Sequence, residues 1–350
     1  MDTRESTEQL ALRQVADRVA ADLAPSTVLS LEDEDRKKRL RRAVDEAGWY
    51  SLRDDDGNGR PIGGSVEACI IAESLAARVA DVAYCGPILA GDLARRAGAS
   101  PGAPRALAYR RDLLRPARIE GEKTSECGTV VDAPDADSLE ALVLLSGDGG
   151  HHLGLLAETT VATATEGTDL TRTLRDCSID RSVTPLGDGP SVLGDEDLDA
   201  WSALGLALTS ADLVGTMRGV LEMTIDYAGQ RKQYGTPIGS FQSVQHLLAE
   251  SHCLMEASRS VAIHAAWAVD NLGAQDALSA GRIAKTYCAR AAQTVCETAV
   301  QVHGGIGNVW ECMVHVFLRR ALLSAQWFGD DGVQLAALQT GPTGGAHGLP

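Results

Sequence analysis

The sequence predicts a mainly α-helical protein with a β domain in the middle of the chain, an α+β architecture. Stretches near both ends repeat their apolar residues at helical spacing, whereas the stretch between them breaks into short apolar runs separated by Gly, Asp and Pro. We expect an N-terminal helical domain at 1–112, a middle β domain at 113–195, a C-terminal helical bundle at 196–338 and a flexible tail at 339–350.

The N-terminal domain is predicted to hold four helices. Their apolar residues recur on one face over 9–23, 32–47, 65–79 and 87–97. Ser65 is expected to cap the third helix, because serine often accepts a backbone hydrogen bond at that position. The acidic, glycine-rich stretch 54–59 predicts a turn before it.

The middle domain is predicted to be a small β domain. Its apolar runs 141–145, 152–156 and 159–163 each fit a strand. The sequence Gly-Asp-Gly-Gly at 147–150 predicts a tight turn between the first two.

Three long helices are predicted in the C-terminal bundle, over 201–230, 241–269 and 281–302. In the second, Leu247, Leu254, Val261 and Ala268 repeat every seven residues. Helices with such sustained apolar stripes bury them on one another, most simply as a four-helix bundle or an oligomer core. The glycine-rich segment 341–345 predicts a frayed tail.

The charge balance limits the partners. The chain carries 32 Lys and Arg against 48 Asp and Glu, a net charge of −16, which repels phosphate backbones and argues against nucleic-acid binding. It has no apolar run long enough for a membrane span, and its N-terminus is polar without a signal-peptide core. We therefore expect a cytoplasmic protein.

Metal and hydrolase motifs are absent. The eight cysteines are scattered without C-x-x-C spacing, so we interpret them as small buried apolar residues in a reducing compartment. His246 and His252 are six residues apart and no H-E-x-x-H occurs, so no metal site is predicted. Gly-x-Ser-x-Gly, the P-loop and Gly-x-Gly-x-x-Gly are also missing.

Two helix-terminal segments carry residues that suit a phosphate ligand. The segment 230–238, Gln-Arg-Lys-Gln-Tyr-Gly-Thr-Pro-Ile, combines adjacent cations with an aromatic ring and a glycine, and an arginine fork matches a pyrophosphate. The segment 301–307, Gln-Val-His-Gly-Gly-Ile-Gly, offers exposed backbone N–H groups. Each alone also fits an ordinary helix end, and His303 is more typical of packing or hydrogen bonding than of a base.

Together, in this order, the two segments resemble the acyl-CoA dehydrogenase family. The same family pattern continues in Phe241-Gln242, in Trp310-Glu311 and in Leu-Arg-Arg-Ala at 318–321. The resemblance is clear over roughly 200–330, and the order of helical, β and helical zones extends it over most of the chain.

The resemblance implies a flavoenzyme with FAD bound between subunits. It implies that Arg231 holds the FAD pyrophosphate, that Gln233, Tyr234, Ile238 and Phe241 line the adenine side, and that Gln301, Gly304 and Gly305 contact FAD from a neighbouring subunit. In the family reaction the α-proton of an acyl-CoA is removed while the β-hydrogen leaves as hydride to the flavin.

The carboxylate base of the family is missing from its two usual positions. Counting from Gln301, the usual glutamate position holds Phe328, before Gly329; the alternative position in the preceding helix falls at Gly205 and Leu206. Asp212 and Asp330 lie near these positions, but we interpret both as solvated or capping residues, so the catalytic residues stay unknown.

The middle zone also lacks the family segment Thr-Glu-Pro-x-Ala-Gly-Ser-Asp, which contacts flavin and substrate. Both losses resemble the shorter, base-lacking subunit of heteromeric acyl-CoA dehydrogenases, known to act on bulky CoA thioesters such as steroid side chains. This implies a longer homologous partner chain, an acyl-CoA substrate and an acceptor such as an electron-transfer flavoprotein. A non-catalytic scaffold or regulatory paralogue, and a stand-alone oxidoreductase with a displaced carboxylate base, remain alternatives.

Overall fold

The computed structural model describes residues 4–99, 105–120, 125–132, 141–147, 150–156, 161–164, 167–180, 183–186 and 192–340. The predicted tail at 341–345 and the start of the predicted strand 159–163 lie outside these residues.

The N-terminal part contains the four predicted helices, which are α1 (Thr7–Leu23), α2 (Glu34–Glu46), α3 (Ser65–Ala76) and α4 (Cys85–Arg96). The expectation that Ser65 caps α3 is wrong, because Gly64 occupies the N-cap and Ser65 is the first helical residue. The backbone N–H and hydroxyl of Ser65 instead donate to the carboxylate of Asp270, at 2.5 and 3.0 Å. A carboxylate distant in sequence therefore accepts the hydrogen bond of the first backbone N–H of this helix, which has no partner within the helix.

The middle domain is one mixed sheet, whose strands are β1 (Ala106–Arg110), β2 (Arg118–Glu120), β3 (Ser125–Val131), β4 (Ala141–Gly147), β5 (Gly150–Leu156), β6 (Val161–Ala164), β7 (Leu174–Asp180) and β8 (Thr184–Pro185). The strand order is β6-β7-β3-β1-β4-β5-β8, with β2 paired to β4. The predicted hairpin is confirmed, since Gly147 pairs with Gly150. The first strand, β1, lies before the predicted start of this domain at residue 113. It was not predicted because its small apolar residues do not alternate with polar ones.

The C-terminal part confirms the predicted bundle. A short hairpin of β9 (Lys232–Gln233) and β10 (Thr236–Pro237) follows the first long helix, and the helices are α5 (Asp195–Gln230), α6 (Gln242–Asn271), α7 (Ala274–His303), α8 (Val314–Gln326) and α9 (Asp331–Thr340). Helices α5 to α8 pack on one another around small residues, and α9 lies on α7.

Helix α5 also packs closely against the N-terminal domain. A methyl group added at Gly215 would lie 2.1 Å from the Glu73 carbonyl oxygen, and one at Gly219 would lie 2.0 Å from that of Ala77. Only glycine permits helices to approach this closely. The N-terminal helices and the bundle therefore share one core.

The cysteine interpretation is correct for most of the described positions, where the thiols are free and buried. It is wrong for Cys253, which is exposed, and Cys312 is half-buried. Within the described ranges, no helix is both long and apolar enough to span a membrane.

Candidate functional site

The segment after α5 folds into a tight hairpin. Gln233 pairs with Thr236 across a two-residue turn, in which Tyr234 has φ +52° and Gly235 has φ +83°. Two consecutive residues with positive φ are typical of a type I′ turn, which explains the glycine. Helix α5 itself ends at Gln230, so Gly235 shapes this turn and does not end the helix.

The hairpin and the turn after it present five predicted cofactor residues on the surface. Arg231 and Gln233 are exposed, and Ile238 is half-buried. Tyr234 is 96% exposed and Phe241 is 37% exposed. Their rings meet edge to face, with centroids 6.4 Å apart. This surface combines a guanidinium group with aromatic faces, which suits a phosphate linked to a flat ring.

The second segment offers open backbone at the end of α7. Gln301 is exposed on the last turn, the helix ends at His303, and Gly304 follows with φ +63°. A methyl group added at Gly304 or at Gly305 would meet no heavy atom within 4 Å. A ligand can therefore approach this main chain closely.

A ring stack joins the two segments within one chain. Tyr227, one turn before Arg231, stacks on His303 with centroids 4.2 Å apart. The Nδ1 atom of His303 lies 2.9 Å from the Ala299 carbonyl oxygen, and burial lowers the pKa of this imidazole. The packing role expected for His303 is confirmed. Sequence analysis missed Tyr227, although its place one helical turn before the cationic pair could have indicated it.

An aromatic cluster contains Phe328, one of the positions at which the resemblance led us to look for a base. The Phe328 ring lies 5.8 Å from Tyr109 and 5.3 Å from Trp201, between ring centroids, and 6.0 Å from Trp327. A methyl group added at Gly205 would lie 2.1 Å from Phe328 Cζ. Both candidate base positions are therefore parts of one packed apolar cluster.

The expectation that Asp212 is solvated or capping is wrong. Its carboxylate is buried and pairs with the guanidinium groups of Arg172 and Arg320, each at 2.7 Å. Burial alone would raise the pKa of Asp212, but the attraction of these two cations outweighs it and lowers the pKa to about 2. Asp330 does cap a helix, since its Oδ1 accepts from the Val333 N–H at 2.8 Å.

The hairpin region and the surroundings of Phe328 thus differ in chemistry. The hairpin region exposes cations, aromatic rings and open backbone, whereas Phe328 packs among the rings of Tyr109, Trp201 and Trp327. In the part of the chain that the structure describes, no group of three or more His, Cys, Asp or Glu side chains is arranged to hold a metal ion.

Known proteins are similar to the C-terminal bundle in sequence and to nearly the whole chain in fold. Residues 205–341 match the family described as acyl-CoA dehydrogenase, C-terminal domain. The acyl-CoA dehydrogenase IpdE2 of Mycolicibacterium smegmatis is 33% identical over 171 residues, which are 49% of this chain and 50% of that protein. The match thus spans about half the length of this curated relative.

Two solved structures cover nearly the whole chain. The ChsE4-ChsE5 complex from Mycobacterium tuberculosis contains a chain with a TM-score of 0.75 at 22% identity, covering 97% of this chain and 98% of its own. The Tcur3481-Tcur3483 steroid ACAD gives a TM-score of 0.76 at 21% identity, covering 95% and 96%. This likeness shows the fold and confirms the predicted architecture.

Proposed function

We propose that this chain, a member of the acyl-CoA dehydrogenase family, is one subunit of a heteromeric enzyme and carries no catalytic base. The assembled enzyme would dehydrogenate an acyl-CoA thioester with FAD. The observation that carries this proposal is the Phe328 ring packed over Gly205 at the two base positions. A proton α to a thioester is weakly acidic, so its removal needs a carboxylate within hydrogen-bond reach. A partner chain would supply that carboxylate.

The hairpin end of the bundle fits FAD. The backbone at Gly304 and Gly305 is open, and the rings of Tyr234 and Phe241 are exposed, so a ligand can reach both and a side chain added at either glycine would obstruct it. Bound FAD would supply the hydride acceptor. Because both segments lie at one end of one chain, we propose that they grip a single FAD shared with the partner. Arg231 would hold the pyrophosphate, and the other contacts would come from Gln233, Tyr234, Ile238, Phe241, Gln301, Gly304 and Gly305.

The surface around this site supports assembly with another chain. Residues 229–250 include no buried residue, although Tyr234, Phe241 and Leu247 are large and apolar. Apolar side chains exposed in one continuous stretch are typical of an interface. We propose that a longer homologous subunit covers them, that the substrate is bulky, as the steroid ACAD neighbour suggests, and that an electron-transfer flavoprotein accepts the electrons.

The alternative of a displaced base finds little support. Asp212 is tied to two buried arginines, and Asp330 caps α9. A scaffold without flavin is a second alternative, and the open backbone at Gly304 beside the exposed Arg231 argues against it, because a scaffold has no need for an accessible backbone next to an exposed surface cation.

Co-assembly tests the proposal. We expect the purified chain to show no dye reduction with acyl-CoA, and activity to appear when it assembles with a longer homologue that carries the glutamate. Replacing that glutamate by glutamine in the partner should abolish the activity, whereas Asp330→Asn here should leave most of it. Robust activity of the lone chain that is lost in Asp330→Asn would make the protein a self-sufficient enzyme. A complex that never contains flavin would favour the scaffold.

A further inference from the structure

A small cavity of about 90 Å³ lies between the N-terminal helices and the bundle. It is lined by residues between positions 4 and 13 and by parts of α3, α5 and α6. Its last contact along α5 is Val214, so Arg231 lies roughly 25 Å further along the axis of that helix, at 1.5 Å per residue. The described residues that line it include no member of the hairpin or of the aromatic cluster at Phe328, so the cavity is separate from both.

Apolar side chains form most of the wall of this cavity. Ile70 faces it from α3, Val214 from α5 and Trp267 from α6. Ile70 and Val214 are buried, and Trp267 is half-buried. An engineered apolar cavity of roughly 150 Å³ holds benzene, so this smaller one suits a hydrocarbon body of about three or four carbons.

The other side of the cavity is charged and centres on the buried side chain of Glu73. Its carboxylate accepts hydrogen bonds from Arg13 at 3.1 Å and from Arg259 at 3.2 Å. The Nε atom of Arg218 lies 3.5 Å from the same carboxylate. Three guanidinium groups around one buried carboxylate favour a second anion beside it, because attraction between charges is strong where water is excluded.

Two partly exposed acids also pair with these guanidinium groups. Asp17 lies 2.9 Å from Arg218 and Glu256 lies 2.8 Å from Arg259, with the two acidic side chains 38% and 46% exposed. Attraction between exposed charges is weak because water and salt screen it. Among the described residues, those that line the cavity and carry charge are three cations and two acids: Arg4, Arg13, Arg259, Glu5 and Glu73.

Two features indicate where a ligand carboxylate binds. The Nε–H of Arg259 is buried and has no hydrogen-bond acceptor among the residues that the structure describes. Arg13 holds the carboxylate of Glu5, with its Nε atom 2.7 Å from Glu5 Oε1. Glu5 lies before the first residue of α1, so a carboxylate from a segment outside the helix already occupies one position at the cavity.

We propose that this cavity binds a short-chain monocarboxylate, whose carboxylate displaces Glu5 from Arg13 and whose hydrocarbon end packs against the apolar wall. Arginine suits this role because its planar fork binds a carboxylate through paired hydrogen bonds. Arg259 gains an acceptor for its buried Nε–H, which is costly to leave without one. The ligand touches α1 and α3 as well as α5 and α6, so its binding stabilises the contact between the N-terminal helices and the bundle.

NMR titration of the purified chain tests the site with isobutyrate, with its neutral analogue isobutyramide and with acetate. We expect isobutyrate to bind, to raise the melting temperature and to bind more weakly as the salt concentration increases. Isobutyramide lacks the charge and acetate lacks most of the apolar body, so each should bind at least about tenfold more weakly, a difference of about 1.4 kcal/mol. Equal binding of isobutyramide would overturn the role of the arginines, and equal binding of acetate would overturn that of the apolar wall. The absence of isobutyrate binding would overturn the site.

Two matched pairs of variants locate the binding. Glu5→Gln removes the competing carboxylate and should tighten isobutyrate binding about threefold or more, a gain that a misfolded chain would not show. Arg13→Gln should weaken it about tenfold or more. Glu46→Gln and Arg42→Gln make the same changes in an exposed pair on α2 and should leave the affinity unchanged. Equal affinity in Glu5→Gln and Glu46→Gln would overturn the displacement of Glu5, and equal affinity in Arg13→Gln and Arg42→Gln would overturn the placement of the carboxylate.

Discussion

The ring of Phe328 lies over the α-carbon of Gly205, so closely that a methyl group there would sit 2.1 Å from Phe328 Cζ. Phe328 holds a backbone φ of +66°, which is rare for a bulky residue. The Phe328 N–H donates to the Leu113 carbonyl at 2.9 Å, and the Phe328 carbonyl accepts a hydrogen bond from the Gln334 side-chain amide. Phe328 and Gly205, the two positions at which we looked for a base, therefore pack against each other.

This contact predicts an unusual effect of alanine in a helix. Gly205→Ala should destabilise the protein by about 1–3 kcal/mol, because overpacking at Phe328 exceeds the gain in helix propensity. Gly229→Ala, on the same helix, has no heavy atom within 4 Å and should stabilise it by about 0.5–1 kcal/mol. Urea unfolding of both variants measures the difference. Equal stabilisation by both would mean that Phe328 does not fill this space.

Arg231→Ala should weaken flavin retention in the assembled enzyme. The loss expected for a charged hydrogen bond to pyrophosphate is about 1.5–3 kcal/mol. Arg42→Ala, which removes an exposed arginine paired with Glu46 on α2, is the control and should leave flavin content unchanged. Flavin absorbance and titration of the apoprotein provide the measurement. An unaltered FAD affinity in Arg231→Ala would remove the basis for its assignment.

The paired glycines allow strain and steric blocking to be separated. Gly304→Val places a branched residue at φ +63° and should cost both stability and flavin. Gly305 is outside the set of glycines with positive φ and has open space around its α-carbon, so Gly305→Val should keep the bundle folded while FAD is lost. Circular dichroism and flavin content report the two effects. Normal flavin binding by Gly305→Val would favour an ordinary helix end.

Sequence periodicity predicted the bundle well because long apolar stripes leave few ways to be buried. Helix α7 nevertheless begins at Ala274, before the predicted 281, since Gln275, Asp276 and Ser279 interrupt the apolar pattern of its first turns. The hairpin at Tyr234 and Gly235 was not predicted, because a two-residue turn between two-residue strands produces no apolar run.

Only those residues of the candidate site that belong to short sequence motifs could be predicted. Arg231 and Gly304 could be identified from short segments, but the stack of Tyr227 on His303 joins residues that no local pattern relates. The same holds for Asp212, whose partners Arg172 and Arg320 lie in the middle domain and in α8. Tertiary contacts of this kind decide whether an aspartate is solvated or buried.

Asp212 is predicted to stabilise the fold and to take no part in proton abstraction. Its pKa of about 2 in the folded state lies below the ordinary 3.8. Its ionic contribution is therefore complete above about pH 4 and disappears as the pH falls toward 2, a change of about 2 kcal/mol. Asp212→Asn leaves two buried guanidinium groups without this partner and should cost about 3–5 kcal/mol at neutral pH.

Asp330→Asn is the matched control, since it changes a helix cap and should cost no more than about 1 kcal/mol. Urea unfolding at pH 7 compares the two variants, and acid titration should show that Asp212→Asn loses less stability than the parent between pH 4 and 2. Equal costs for both variants would contradict the ion-pair assignment. A stable Asp212→Asn chain that assembles with its partner, retains FAD and yet fails to dehydrogenate would instead make Asp212 a base, because packing alone would not remove turnover from an intact complex.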